Sequence, residues 1–190
     1  MEKLPPELSP LRYNSLPELF NYVATEHGNL DAFSCLGKTL TYEEIDKLSD
    51  NFAAYIQVHT DLQVGDRVAI QLLNLIQFPI TLYGLIKAGL VVVTTNPLYT
   101  SNEMRHQFMD SGVKGIVILD AFCDKLEEIL PDTEISTIIV ASLGDMQSPL
   151  RSRILNFGAK YLKRIVPTYK LPNSISFETT ISCQEIFINP

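Results

Sequence analysis

Residues 67–94 read RVAIQLLNLIQFPITLYGLIKAGLVVVT. Arg67–Leu72 is a short apolar run, and Val68 and Ile70 suit a strand. From Leu75 to Ala88 apolar side chains fall on nearly every side of a helical wheel, which predicts a helix buried all round. Gly89 is its C-terminal stop. Pro79 lies in or near the first turn, where a missing amide does least harm. Leu90–Thr94 is β-branched without polar alternation, the pattern of a parallel strand covered on both faces. Strand, buried helix and strand, with no hairpin turn between them, make a parallel crossover unit.

The same rhythm continues on the C-terminal side. Thr100 and Glu103 form a T-x-x-E capping box that opens a helix to about Ser111. Gly115–Leu119 is a strand. Phe122, Leu126, Ile129 and Leu130 mark a helix ending at Pro131, and Ile135–Ala141 closes the series. This alternation predicts an α/β fold, a doubly wound and mostly parallel sheet with flanking helices. Towards the N-terminus, Thr41 and Glu44 form another capping box. It opens a helix whose stripe is Tyr42, Ile45, Leu48, Phe52, Tyr55 and Ile56. Before it come a hairpin over Asp31–Leu40, broken at Gly37-Lys38, and a short helix over Leu16–His27.

Four segments result: an irregular arm over 1–15 with prolines at 5, 6 and 10, the α/β portion over 16–147, a basic helical segment over 148–170, and a short mixed tail over 171–190. A chain of 190 residues with 46% hydrophobic content fits one ordered domain or part of a larger one. Cys35, Cys123 and Cys183 are odd in number and far apart, which favours a reducing, cytoplasmic setting. The N-terminus lacks the apolar core of a signal peptide. The longest greasy stretch, Phe78–Val93, is about 16 residues, short of the roughly 20 that span a bilayer.

Net charge is −7, unevenly spread. Residues 1–145 carry 9 Lys/Arg against 20 Asp/Glu, whereas residues 146–177 carry 6 basic residues and no acidic one. An acidic body with no base-reading motif argues against nucleic acid as a partner.

Nucleotide and catalytic signatures are absent from the sequence. No G-x-G-x-x-G follows a strand, and there is no G-x-S-x-G elbow. Gly84 and Gly89 have phosphate-loop spacing, but Leu90 and Val91 replace the Lys and Ser/Thr, at a helix end rather than a start. His27, His59 and His106 lack metal-ligand partners at helical spacing; His106 and Asp110 read as a surface pair. The residues therefore give no catalytic, cofactor-binding or metal-binding position.

Several blocks carry a family resemblance. Leu40-Thr-Tyr-Glu-Glu-Ile45 resembles the first core motif of adenylate-forming enzymes. Leu85-Ile-Lys-Ala-Gly-Leu-Val-Val-Val-Thr-Thr-Asn-Pro97 resembles their second. Val64–Ile70 is similar to the family's G-D-R-V-A strand entry. Asn96–Thr100, with Glu103, His106, Gln107, Asp110, Ser111 and Gly112, narrows the likeness to bacterial long-chain fatty-acid–CoA ligases, as does Phe157–Phe177. The similarity runs from about Arg12 to Phe177 in register, and it implies an incomplete part of the large N-terminal domain. The reaction it implies joins a fatty acid to ATP as an acyl-adenylate, releasing pyrophosphate, and then passes the acyl group to CoA. Mg²⁺ and ATP are the implied cofactors, and fatty acid, ATP and CoA the implied partners. The family's T-G-G-T-T-G-x-x-K-G phosphate loop does not occur in this sequence, so the 190 residues alone are expected to be inactive. Thr41, Glu44, Thr100, Glu103, Gly89 and Pro97 all have sufficient local roles as caps and stops, and they read as scaffold.

On a wheel, Leu150–Val166 separates an apolar arc of roughly 200° from Arg153, Lys160, Lys163 and Arg164. That pattern fits a helix lying on a membrane surface, with those four cations as membrane contacts, peripheral at the inner face of the membrane. It fits equally a surface helix packing its apolar face on the domain while its lysines are solvated. A homodimer stays open. The alternatives from other classes are a free-standing Rossmann-like binding module and a membrane-recruited interaction module.

Overall fold

The computed structural model describes residues 13–159 and 166–188. The arm expected over residues 1–15 lies outside these, apart from residues 13–15. Helix α1 spans Leu16–His27, started by Ser15, whose hydroxyl accepts from the Glu18 amide. A two-stranded hairpin follows, β1 (Asp31–Cys35) and β2 (Lys38–Thr41). Helix α2 (Tyr42–His59) opens with the reciprocal Thr41–Glu44 capping box.

The main sheet comprises β3 (Arg67–Gln71), β4 (Val91–Thr94), β5 (Val113–Leu119), β6 (Thr137–Ala141) and β7 (Ile175–Ser176), in spatial order β4-β3-β5-β6-β7. Every pairing in it is parallel. The connecting helices are α3 (Gln77–Lys87), α4 (Ser101–Ser111) and α5 (Cys123–Ile129), with α6 (Pro149–Phe157) and α7 (Phe177–Ile181) beyond them.

Strand alternation builds two cores. Val68, Ile70, Val117, Leu119 and Ile139 point to the face covered by α2 and α3, where Ile45, Phe52 and Leu85 pack. Ala69, Ile116, Ile118 and Ile138 point the other way, onto Met104 and Phe108 of α4 and Leu126 of α5. Helices on both faces are what doubly wound means, and the apolar runs in β5 and β6 follow from burial on both sides.

Helix α3 has no exposed residue, as its sequence requires, though it begins at Gln77 rather than Leu75. Gly84 admits α2: a Cβ there would sit 2.7 Å from Phe52 Cδ1. Gly89 takes φ +79°, a left-handed conformation that ends the helix.

Two points refine the expectations. The run Leu90–Thr94 gives a parallel strand at the edge of the sheet: β4 pairs only with β3 among the described residues, and Val91 is 48% exposed. Its β-branched composition reflects packing of Val92 and Val93 on the two cores, which an edge strand also allows. The tail supplies a strand and a helix of its own. Ile175 and Ser176 pair with Ile139 and Val140, and Phe177 is fully buried 6.0 Å from Phe52.

Candidate functional site

In an open doubly wound sheet the ligand crevice lies beyond the carboxyl ends of the strands, where the winding reverses. Here the reversal falls between β3 and β5, because the chain steps from β3 outward to β4 and then back across to β5. The residues at that edge are polar and tied together. Gln71, fully buried at the end of β3, donates through Nε2 to the Asn96 carbonyl at 3.5 Å. Gln77, opening α3, donates to the Ser142 carbonyl at 2.9 Å. The Ser142 hydroxyl donates to Asp120 Oδ2 at 2.9 Å, and its amide to Asp145 Oδ2 at 2.7 Å.

Burial pushes the Asp145 carboxyl up to about 7, with Glu178 and Asp120 adding repulsion and the Ser142 amide opposing them. Asp145 therefore changes charge near neutral pH. Burial likewise raises the Cys123 thiol to about 12, so it is a packed core group and not a nucleophile. Beside this edge, where the hairpin leans on the β3–α3 loop, is a hollow of about 300 Å³ lined by Phe33, Cys35, Leu75, Ile76, Phe78 and Pro79. It is largely apolar, and Cys35 Sγ donates to the Asn74 carbonyl at its rim, 3.6 Å away.

This edge offers amides, hydroxyls and carboxyls, and none of the polar groups named is cationic. The amino ends of α2 and α4 are closed by their own Thr and Glu side chains. At α4 the Thr100 amide and hydroxyl both donate to Glu103, holding that carboxyl below its usual range. Helix α3 carries Pro79 in its first turn, which removes a donor. At α2 and α4 part of the donor set that could meet a phosphate is thus taken up within the fold.

Of the residues expected at a membrane, Arg153 is exposed on α6, while Lys160, Lys163 and Arg164 lie outside the described residues. The described part of that helix does not bury its apolar face. Leu150, Ile154 and Phe157 are 71%, 62% and 57% exposed. The side turned inward is mixed: Leu155 is half-buried and Ala159 buried beside Ser152 and Asn156, while Arg153 faces solvent. Asn156 Oδ1 accepts the Gly144 amide at 2.9 Å, and a Cβ on Gly144 would meet the Ser152 hydroxyl at 2.7 Å. That bond helps set the helix's rotation, which leaves Leu150, Ile154 and Phe157 facing out.

Folding also brings together groups that sequence spacing keeps apart. His59 ends α2, and Glu185 in the tail lies 3.3 Å from its Nε2, with Cys183 alongside. Helical spacing carried no signal for this, because the partners come from the far end of the chain.

The model of the family described as AMP-binding enzyme matches residues 20–168. The chain belongs to the AMP-binding enzyme family. Among curated relatives, the long-chain-fatty-acid–CoA ligase of Salmonella typhimurium is 41% identical over 178 residues, which cover 94% of this chain and 32% of the relative. The ligase of the same description from Yersinia pestis is 42% identical over the same shares. Acetoacetyl-CoA synthetase from Streptomyces lividans superposes with a TM-score of 0.71 at 14% identity, over 92% of this chain and 26% of that one, and shows the fold. The chain thus spans about a third of the length of these curated relatives (32%).

Proposed function

We propose that the chain forms the N-terminal part of the large domain of a long-chain fatty-acid–CoA ligase. The observation that supports this is identity of 41–42% to bacterial ligases across 94% of the chain. In the complete enzyme a fatty-acid carboxylate attacks the α-phosphate of ATP, and CoA then takes the acyl group from the adenylate. The described residues fit the triphosphate and Mg²⁺ poorly, since the family's phosphate loop does not occur in the sequence and the crevice edge groups named offer no cation. No step is assigned to them. This part supplies the sheet and one wall of the crevice, with the apolar hollow beside Phe33 and Phe78 next to it.

The test has two arms. The 190-residue chain alone, given palmitate, ATP, Mg²⁺ and CoA, should release no pyrophosphate above background. Grafted in place of the matching segment of the Salmonella typhimurium ligase, it should support palmitoyl-CoA formation. A folded but inactive graft, or saturable pyrophosphate release by the chain alone, overturns the reading.

A peripheral membrane contact through α6 belongs to the same reading. The observation favouring it is the exposure of Leu150, Ile154 and Phe157 beside Arg151 and Arg153. Among the described residues no helix is long and apolar enough to cross a membrane. A cytoplasmic enzyme touching the inner face of the membrane fits both observations.

A further inference from the structure

We propose that His59, Cys183 and Glu185 form a three-ligand site for a borderline divalent cation, Zn²⁺ by the nature of its donors. The imidazole comes from the last residue of α2, and the other two donors from the segment after α7. Side chains of α2 hold that segment on either side of the cluster. Asn51 Nδ2 donates to the Ile181 carbonyl at 2.9 Å. The Gln57 amide exchanges two hydrogen bonds with the backbone of Ile188, at 2.7 and 3.1 Å. Cys183 and Glu185 are thereby delivered to His59 by anchors that are not themselves ligands.

The geometry is close to what the ion needs. His59 Nε2 and Glu185 Oε1 are 3.3 Å apart, and the three donor atoms all lie within 4.8 Å of one another. A tetrahedral zinc ion, with bonds of roughly 2.0 Å to nitrogen and oxygen and 2.3 Å to sulfur, puts its donors roughly 3.3–3.7 Å apart. The remaining closure falls to His59 and Glu185, whose side chains are 44% and 45% exposed, with the imidazole set against the Tyr55 ring at 4.8 Å between centroids. Cys183, 9% exposed, is the fixed member.

The donor types select the metal. Imidazole, thiolate and carboxylate together suit Zn²⁺, whereas Mg²⁺ and Ca²⁺ take oxygen ligands. Three protein ligands leave the fourth position facing a groove walled by Tyr55, Ser182 and Gln184, where a water molecule completes the shell. Binding displaces the Cys183 thiol proton to solvent, so affinity rises with pH. The ion would fasten the segment after α7 to the end of α2, which also secures Phe177 in the core.

The experiment titrates the reduced 190-residue chain with Co²⁺ as a spectroscopic probe and with Zn²⁺ in competition. The expected results are one equivalent bound, an intense sulfur-to-cobalt charge-transfer band, displacement by Zn²⁺ but not by excess Mg²⁺, and a thermal midpoint raised by Zn²⁺. Cys183→Ser should abolish the band, and Glu185→Gln should weaken binding at least about tenfold. Cys35→Ser should leave both unchanged. Because Glu185 is exposed, its variant tests the site even if Cys183→Ser folds poorly. Absence of the charge-transfer band in the wild type, its survival in Cys183→Ser, or unchanged affinity in Glu185→Gln overturns the proposal.

Discussion

Lys87 Nζ lies 2.6 Å from Asp46 Oδ1, joining α3 to α2. The same ammonium is 2.6 Å from Asp50 Oδ1, 2.9 Å from Ser49 Oγ and 3.2 Å from the Asp46 carbonyl. Its side chain is 3% exposed, and these partners offset the water an ammonium loses on burial. Lys87 belongs to one of the two core family motifs, and Asp46 directly follows the other. A comparable link joins the turn before β3 to the end of α3. There Gly65 donates to the Gly89 carbonyl and Val91 to that of Asp66, at 2.8 and 2.9 Å. The blocks that carry the family resemblance bond to one another, which is a sufficient structural reason for their order and spacing in this chain.

Lys87→Ala should cost about 3–5 kcal/mol, because it removes the cation and leaves a cavity between two helices. Lys87→Met should cost less, since Asp46 and Asp50 are 30% and 43% exposed and can turn to water. Urea unfolding with unchanged m-values measures both. Losses of less than about 1 kcal/mol in both variants would mean the ion pairs hold nothing together.

Gly84→Ala should destabilise despite the better helix propensity of alanine. The new methyl would stand 2.7 Å from Phe52 Cδ1 and 3.1 Å from its Cβ. Overpacking of this kind costs about 1–3 kcal/mol, against about 1 kcal/mol gained in propensity. Leu85→Ala, at a fully buried position, should lose about 2–5 kcal/mol, and Gln63→Ala on the surface less than about 0.5. Thermal or urea midpoints of the three rank them. Similar small losses at Leu85 and Gln63 would contradict the buried helix.

The fold was legible where one signal sufficed. The capping boxes at Thr41 and Thr100, the all-round apolar α3 and the stop at Gly89 are local, and each is where its residues place it. Strand position was less legible, because LVVVT reads alike at the centre of a sheet and at its edge. β7 is two residues long, too short for periodicity, and its pairing with β6 is a long-range event. The crevice polar groups Gln71, Gln77 and Asp120 gave no motif, since what unites them is sheet order and not sequence distance. For α6 the two arcs of the wheel do not coincide with the buried side, which takes Leu155 and Ala159 from one and Asn156, bonded to Gly144, from the other.

Asp145 sets a pH dependence with a definite sign. Its folded-state value of about 7 stands above the ordinary 3.8, so from about pH 4 to 7 the native state holds a proton that the unfolded chain has lost. Its contribution is fully present below about pH 4 and is lost as pH rises through 7. The full shift of about three units corresponds to at most about 4 kcal/mol, and partial exposure trims it towards half. Asp145→Asn, which still accepts from the Ser142 amide, should be the more stable protein at pH 8 and close to wild type at pH 4. Unfolding free energies at several pH values, taken as differences between the two proteins, isolate this group from the other carboxyls. A difference independent of pH would show that Asp145 titrates normally.

The exposed face of α6 gives the riskiest expectation, membrane binding. Leu150, Ile154 and Phe157 are each more than half exposed, and cations flank them in sequence. Basic residues near an anionic surface contribute about 1 kcal/mol each. Replacing Arg153, Lys160, Lys163 and Arg164 by Gln should therefore lower binding to anionic vesicles by about a thousandfold at low salt. The difference should shrink as the Debye length contracts from about 30 Å towards 8 Å. Replacing Leu150, Ile154 and Phe157 by Ser tests the other half of the interaction, since apolar insertion scales with buried area and is insensitive to salt. That variant should bind less at every ionic strength. Sedimentation with anionic and neutral vesicles separates the two contributions. The charge variant and wild type should behave alike on neutral vesicles, whereas the apolar variant should be weaker on both kinds. Equal binding of all three proteins to anionic vesicles at low salt would exclude α6 as the contact. Loss only in the apolar variant would instead describe a greasy patch that takes up lipid without regard to its charge.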